Sequence, residues 1–290
     1  MPTTDDSAHP RPPYWTTRVS TLTDDKVFVR GYDQPSLIGA LPFTAASHLL
    51  IRGELPTPAQ ARVLDGVLAA VLDYGLEKPG TAAARYAVSA NPSMPAGLAT
   101  ACLSVGKHTL ATEDTARFLL DSHRKYLDSD LSIEEFAETE VARLRAARQR
   151  IPGLGHPVFK RVDPRAAALR RLAVEEDCWP AEGTVYEALH AAFTRLPGKS
   201  DIAINDVGMM AVLLVGLGYT PEEGTGLAIL STLPGVIAHV SEELAAGRPI
   251  RVIPRSDVDY QALRDRDVAA DLAAAGWLPE RAPATAEAGS

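Results

Sequence analysis

A lone histidine set between glycines and trailed by three cations is the part of this chain best suited to chemistry. The run from Ile151 to Leu172 reads IPGLGHPVFKRVDPRAAALRRL. Gly153 and Gly155 let the backbone turn sharply and let a ligand come close to it. His156 sits on that turn, where a side chain can face a cleft. Lys160, Arg161 and Arg165 follow within ten residues, so the cleft is expected to meet an anion. A second candidate is Asp206, which follows Ile202-Ala203-Ile204 and precedes a long apolar helix. Desolvation in such a place raises a carboxyl pKa and suits it to accept a proton. Each residue also has a plainer reading. Asp206 can be the N-cap of its helix, His156 a loop histidine satisfied by backbone, and Lys160 and Arg161 a solvated cationic face.

Composition narrows the classes. The chain has 290 residues, 46% hydrophobic and 23% charged, enough for one large or two moderate helical domains. Its formal net charge is −8 with no clustered basic tract, which weighs against nucleic acid as a partner. Two cysteines, Cys102 and Cys178, lie far apart without metal-ligand spacing, so neither a disulfide framework nor a metal site is expected and a reducing cytoplasm fits. The first residues, MPTTDDSAHPRPPYW, lack the charged and apolar regions of a signal peptide. No uninterrupted apolar run of membrane-spanning length is found, so no membrane partner is expected.

The elements that must position these residues are helical. Thr57-Pro58 is an N-cap before a first-position proline, and the helix it opens is expected to run to Gly75. Ser132 and Glu135 form a capping box for an amphipathic helix over 133–150. Asp163-Pro164 starts another, and further helices are expected over 182–195, 206–218, 221–232 and 234–246. Only 21–30 suggests strand, as a short hairpin. With no strand–helix rhythm, the fold class is all-α.

Five segments, in order, resemble the citrate synthase superfamily, in particular its short citryl-CoA lyase-like branch. They are VRGYDQPSLIGALPFTAASHLLIRGELPTPAQ, LSVGKHTLATEDTARFL, IPGLGHPVFKRVDPR, DIAINDVGMMAVLLVGLGY and LAILSTLPGVIAHVSEELAAGRPIRVI, spanning about 15–255. The resemblance implies a large helical domain from 15–110 and 221–275, a smaller one from 111–220 with the active site in the cleft, and tails over 1–14 and 276–290. It implies a carbon–carbon bond made or broken between an acyl-CoA and a keto acid. Asp206 would be the base, with His156 and His108 as the catalytic histidines. Arg165, Arg251 and Tyr74 would meet substrate, and Gly153, Gly155, Lys160 and Arg161 would meet CoA. It further implies a homodimer, no metal, and no tightly bound cofactor, CoA being part of the substrate.

The chain departs from the family pattern in the substrate half of that site. An ungapped match from Gly106 puts Thr109 where the family has its catalytic histidine, and the glycine pair that follows is Leu110-Ala111. The usual Asp-His-Gly reads Asp73-Tyr74-Gly75, Pro157 follows His156 in place of a polar residue, and an arginine expected seven residues before His239 is Thr232. These changes argue for a less acidic partner than oxaloacetate. They also leave open a transferase that releases free CoA, or a non-catalytic acyl-CoA-binding homologue. His239 itself is read as a structural helix residue.

Overall fold

The computed structural model describes residues 13–110, 112–261 and 265–277. The chain divides into a unit ending at Ile250 and a second beginning at Arg251. In the first, β1 (Ser20–Leu22), β2 (Val27–Val29) and β3 (Tyr32–Asp33) form an antiparallel sheet in sequence order, with Ser20 opposite Val29 and Phe28 opposite Asp33. The helices α1 (Gln34–Leu37), α2 (Phe43–Arg52), α3 (Pro58–Ala69), α4 (Pro79–Ala90) and α5 (Met94–Leu103) follow. Then come α6 (Thr112–Leu127), α7 (Ile133–Ala146), α8 (Pro164–Glu175), α9 (Ala181–Thr194), α10 (Asp206–Gly216) and α11 (Pro221–Ala246). The second unit holds a short 3-10 turn (Arg255–Asp257) and α12 (Val268–Ala274), which Asp267 caps through the N–H groups of Ala269 and Ala270.

The starts of these helices follow local chemistry. Thr57 with Gln60, Ser132 with Glu135, and Thr220 with Glu223 form complete capping boxes. Three expectations about helix ends need correction. The helix opened by Ser132 stops at Ala146, not at 150. The helix opened by Thr57 stops at Ala69, not Gly75, and Gly75 supplies a left-handed turn (φ 74°) farther on. The segments 221–232 and 234–246 are one helix. Pro234 brings no N–H, and the next N–H, of Gly235, leaves the helix to donate to the Leu72 carbonyl at 2.8 Å. A side chain at Gly235 would collide with that carbonyl, so the glycine admits a close crossing of chains. The break is therefore absorbed by tertiary contact instead of ending the helix.

α10 is apolar around its whole circumference and is correspondingly buried, packing against α3, α6, α8, α9 and α11. α11 is long and apolar enough to cross a bilayer by length and composition alone. Here it packs against α3, α4, α5, α6 and α10, and is a core helix of the fold. It joins two apolar clusters. Leu227 and Ala228 belong to the main core, while Val236 and Val240 pack with Ala84, Val88 and Ala101 of α4 and α5. The Pro234–Gly235 break lies between them. The N-terminus of α10, the N-terminus of α8 and the loop before α8 bring the candidate site together.

Candidate active site

The loop from Ile151 to Asp163 is pinned to the start of α10. Leu154 pairs with Ile204, Gly155 N–H donates to Ala203 O at 2.7 Å, and Asn205 N–H donates to Gly153 O at 2.9 Å. The Asn205 amide adds a bond to Gly155 O at 2.8 Å, and Tyr186 Oη donates to Pro152 O at 2.7 Å. Gly153 (φ 74°) and Gly155 (φ 90°) hold left-handed conformations that favour glycine. At Gly153 a methyl group would also strike Tyr186 Oη and the Gly208 Cα. That glycine therefore seats the loop against the protein.

The loop presents His156 with a fixed proton. Val158 N–H and Phe159 N–H both donate to Nδ1, each at 3.1 Å. Two donors aimed at one nitrogen require a lone pair there, so the ring hydrogen sits on Nε2. Arg165 Nη2 approaches that nitrogen to 3.2 Å; in this tautomer both are donors, so the approach is a contact and not a hydrogen bond. Phe159 stacks on the imidazole with centroids 4.7 Å apart, and the Arg165 guanidinium lies over the same ring at 5.5 Å. Nε2–H is thus a positioned donor for a ligand oxygen.

Arg165 ties the site together. Its Nη1 pairs with Asp206 Oδ2 at 2.8 Å, while Nη2 and Nε pair with Asp163 Oδ2 and Oδ1 at 2.8 and 3.1 Å. Asp163 is buried, caps α8 through Arg165 N–H, and accepts the Asp206 N–H at 3.3 Å. Burial opposes its charge, but the Arg165 hydrogen bonds outweigh burial and hold its carboxyl below the usual range. Asp206 goes the other way. Burial raises its pKa, the Asp163 charge adds to that, and Arg165 only partly compensates. Asp206 is not the N-cap of α10; Asn205 is, accepting Gly208 N–H at 2.8 Å, which leaves the Asp206 carboxylate free of capping duty.

Tyr74 lies next to this pair. Burial, and then the Asp206 charge, push its phenol far up, so it stays protonated, and its Oη is buried without a hydrogen-bond partner. It lines a narrow cavity of about 30 Å3 with Lys78, Thr81, Thr109, Leu110 and Thr232. Leu110 there takes a left-handed φ of 59°, a conformation unusual for a bulky residue. His108 is exposed on the Gly106–Thr109 turn, outside that cavity, and Thr109 lines it instead. Lys160 Nζ donates to His156 O at 3.2 Å, and exposed Arg161 pairs with Asp201 at 2.7 Å. His239 Nε2 meets Asp73 Oδ1 at 3.1 Å. Arg251 belongs to the second unit. Among the described residues no group of three or more His, Cys, Asp or Glu side chains is placed to hold a metal ion.

Sequence reasoning did not single out Asp163, Phe159, Asn205 or Lys78. The signal for Asp163 was present, since an aspartate two residues before an arginine at a helix start can both cap the helix and clamp the guanidinium. Nothing local marked Lys78, which reaches the cavity only through the folding of α4 against α11.

The fold and site together define an all-helical protein in which a glycine-hinged histidine loop faces a buried carboxylate through a shared arginine. Residues 57–253 match the family described as citrate synthase, C-terminal domain, and this chain belongs to that family. Among solved structures it is similar to the citryl-CoA lyase of Hydrogenobacter thermophilus, with a TM-score of 0.81 and 29% identity over 90% of this chain and 100% of that one. The ATP citrate lyase of Methanothrix soehngenii, in complex with citrate and coenzyme A, shares the fold at a TM-score of 0.73 and 19% identity, over 87% of this chain and 42% of that one. A citrate synthase of Haloferax volcanii is 27% identical over 247 residues, 82% of this chain and 62% of the relative. The chain spans from about a third to 62% of the length of such curated relatives.

Proposed function

We propose that this protein makes or breaks a carbon–carbon bond next to the carbonyl of an acyl-CoA thioester, with a keto acid as the other partner, in the manner of a citryl-CoA lyase. The observation that carries the reading is Asp206, a buried carboxylate with a raised pKa, 2.8 Å from Arg165 and beside a histidine whose Nε2–H is free to donate. In condensation Asp206 takes the proton alpha to the thioester carbonyl. His156 Nε2–H polarises the keto oxygen and gives up its proton as the new bond forms. Cleavage runs the same steps backwards. In this reading His108 reaches the thioester oxygen when 111–220 closes on the rest of the chain.

A groove beside the histidine loop supports the CoA half. Ile151, Leu154, Gly155 and Phe193 give apolar walls, and Arg145, Arg148, Arg150 and Lys199 give cations at the rim, a pairing suited to a purine with phosphates. Lys160 and Arg161 are engaged with His156 O and Asp201. CoA arrives as part of the substrate, with no tightly bound cofactor. The proposal extends to a homodimer, checked by light scattering, and to a cytoplasmic location.

The direct test is to incubate the protein with (3S)-citryl-CoA and related 3-hydroxyacyl-CoA thioesters and to follow acetyl-CoA, keto acid and free thiol together. Keto acid with acetyl-CoA and no free thiol is the expected result. Free CoA in step with turnover would make the protein a transferase. Absence of cleavage across the series, with no deuterium uptake into acetyl-CoA from heavy water, would sink the reading.

A further inference from the structure

His156 and Asp206 lie on different segments, and one side chain is bonded to both segments. Asn205 immediately precedes Asp206 in the chain. Its Oδ1 accepts Gly208 N–H at 2.8 Å and caps α10, while its Nδ2 donates to Gly155 O at 2.8 Å. Its backbone N–H donates to Gly153 O at 2.9 Å, so the carbonyls on both sides of Leu154 are taken by this one residue. The two segments are in close contact here, since a Cβ on Gly208 would fall 2.6 Å from Gly153 O.

The Gly155 carbonyl matters because it shares a planar peptide unit with the His156 nitrogen. Holding that oxygen sets the direction in which the histidine leaves the backbone. Beyond it the loop is tied only to itself. Among the described residues, the backbone from His156 to Lys160 bonds only within the loop, and the next outside tie is Arg161 N–H to Asp201 O at 3.0 Å. The Asn205 amide is therefore the last anchor before the imidazole. The position needs a capping oxygen and a donor N–H on one short side chain, which asparagine supplies. Aspartate keeps the cap but turns a second acceptor toward Gly155 O. Serine keeps the cap and withdraws the amide.

We infer that Asn205 is a positioning residue whose amide sets the histidine loop in register with Asp206, while its oxygen holds the helix that carries Asp206. It touches no reacting atom and acts through His156. The catalytic consequence rests on the proposed carbon–carbon chemistry; the register itself does not. Proton donor and proton acceptor must meet the reacting groups in one geometry, and a displacement of about 1 Å costs on the order of 100-fold in rate.

The test compares Asn205→Asp and Asn205→Ser with the parent, as full chains, using (3S)-citryl-CoA as substrate. Both variants keep a capping oxygen, so their denaturant midpoints should stay close to that of the parent. Their kcat should fall on the order of 100-fold, with KM changed by less than about threefold. A second readout needs no turnover: nitrogen NMR of histidine-labelled protein in alkaline buffer, with the His156 signals assigned by their loss in His156→Gln. The parent should show a fixed Nε2–H tautomer, and both variants should move toward the average of the two tautomers. A His156 signature that moves in the variants of a parent without turnover would uphold the register and sink the carbon–carbon chemistry. An unchanged signature, an unchanged kcat in an active parent, or a loss of kcat that merely follows a lowered midpoint would overturn the inference and leave the chemistry standing.

Discussion

The two halves of this site are built on opposite principles. Around Arg165 almost every polar atom is matched: Asp163 accepts from the guanidinium and from the Asp206 and Arg165 amides, and His156 Nδ1 accepts two backbone bonds. Around Tyr74 the hydroxyls of Ser104 and Thr232 are spent on their own helices, while the buried phenol lacks a partner and the start of α4 lacks a side-chain cap. The matched half fixes reacting groups before anything binds, which is how a protein lowers the reorganisation needed in a transition state. The unmatched half leaves a buried phenol hydroxyl and a helix start without side-chain partners.

The sharpest way to break this contrast is at Asp206. Asp206→Asn should lower carbon–carbon turnover on the order of 1,000-fold, with CoA binding nearly unchanged, as steady-state rates and calorimetry would show. The pH profile gives the sign. Condensation needs the ionised carboxylate, so its rate should rise with pH through the raised Asp206 pKa. Cleavage needs the acid form to return the proton, so its rate should fall through the same value. A profile centred at an ordinary carboxylate pKa would mean that burial does not tune this group.

The next effect is on stability. Asp163→Asn leaves Arg165 with one ionised partner and should cost about 3 kcal/mol in denaturant unfolding. The folded pKa of Asp163 is depressed, so its contribution is present above the unfolded value of about 3.9 and is lost as pH falls through the lower folded value. The variant should therefore show a flatter acid limb than the parent. Gly153→Ala, facing Tyr186 Oη and Gly208 in a left-handed turn, should cost on the order of 2 kcal/mol and shift the histidine loop. The smallest effect belongs to the unmatched half. Tyr74→Phe removes an unpartnered hydroxyl, so stability should change by less than about 0.5 kcal/mol while the KM of the keto partner rises several-fold. A large loss of stability would show that the phenol is a structural group, and would merge the two halves.

Much of the matched half was legible in the chain. The glycine–histidine loop, the Asp-Pro-Arg helix start and an aspartate opening an apolar helix are local patterns, and local patterns report turns, caps and burial. Asp163 was legible only as a cap, because its second role depends on α10 arriving beside α8. The unmatched half was legible mainly as departures. Thr109, Leu110, Tyr74 and Thr232 stood out by type, but their convergence on one cavity with Lys78 is a product of α4, α5 and α11 packing together. The same packing carried α11 through Pro234, where sequence alone favours a stop.

The sequence by itself determined that the chain is helical, where most helices begin, and that His156, Arg165 and Asp206 are the residues to watch. Apolar periodicity and capping chemistry act over a few residues, so they survive in the linear string. Tertiary structure decided that Arg165 is shared by two carboxylates, that Asn205 and not Asp206 caps α10, and that Lys78 is the charged side chain lining the Tyr74 cavity. Those facts come from distances between segments far apart in the chain, set by the burial of α10 and α11.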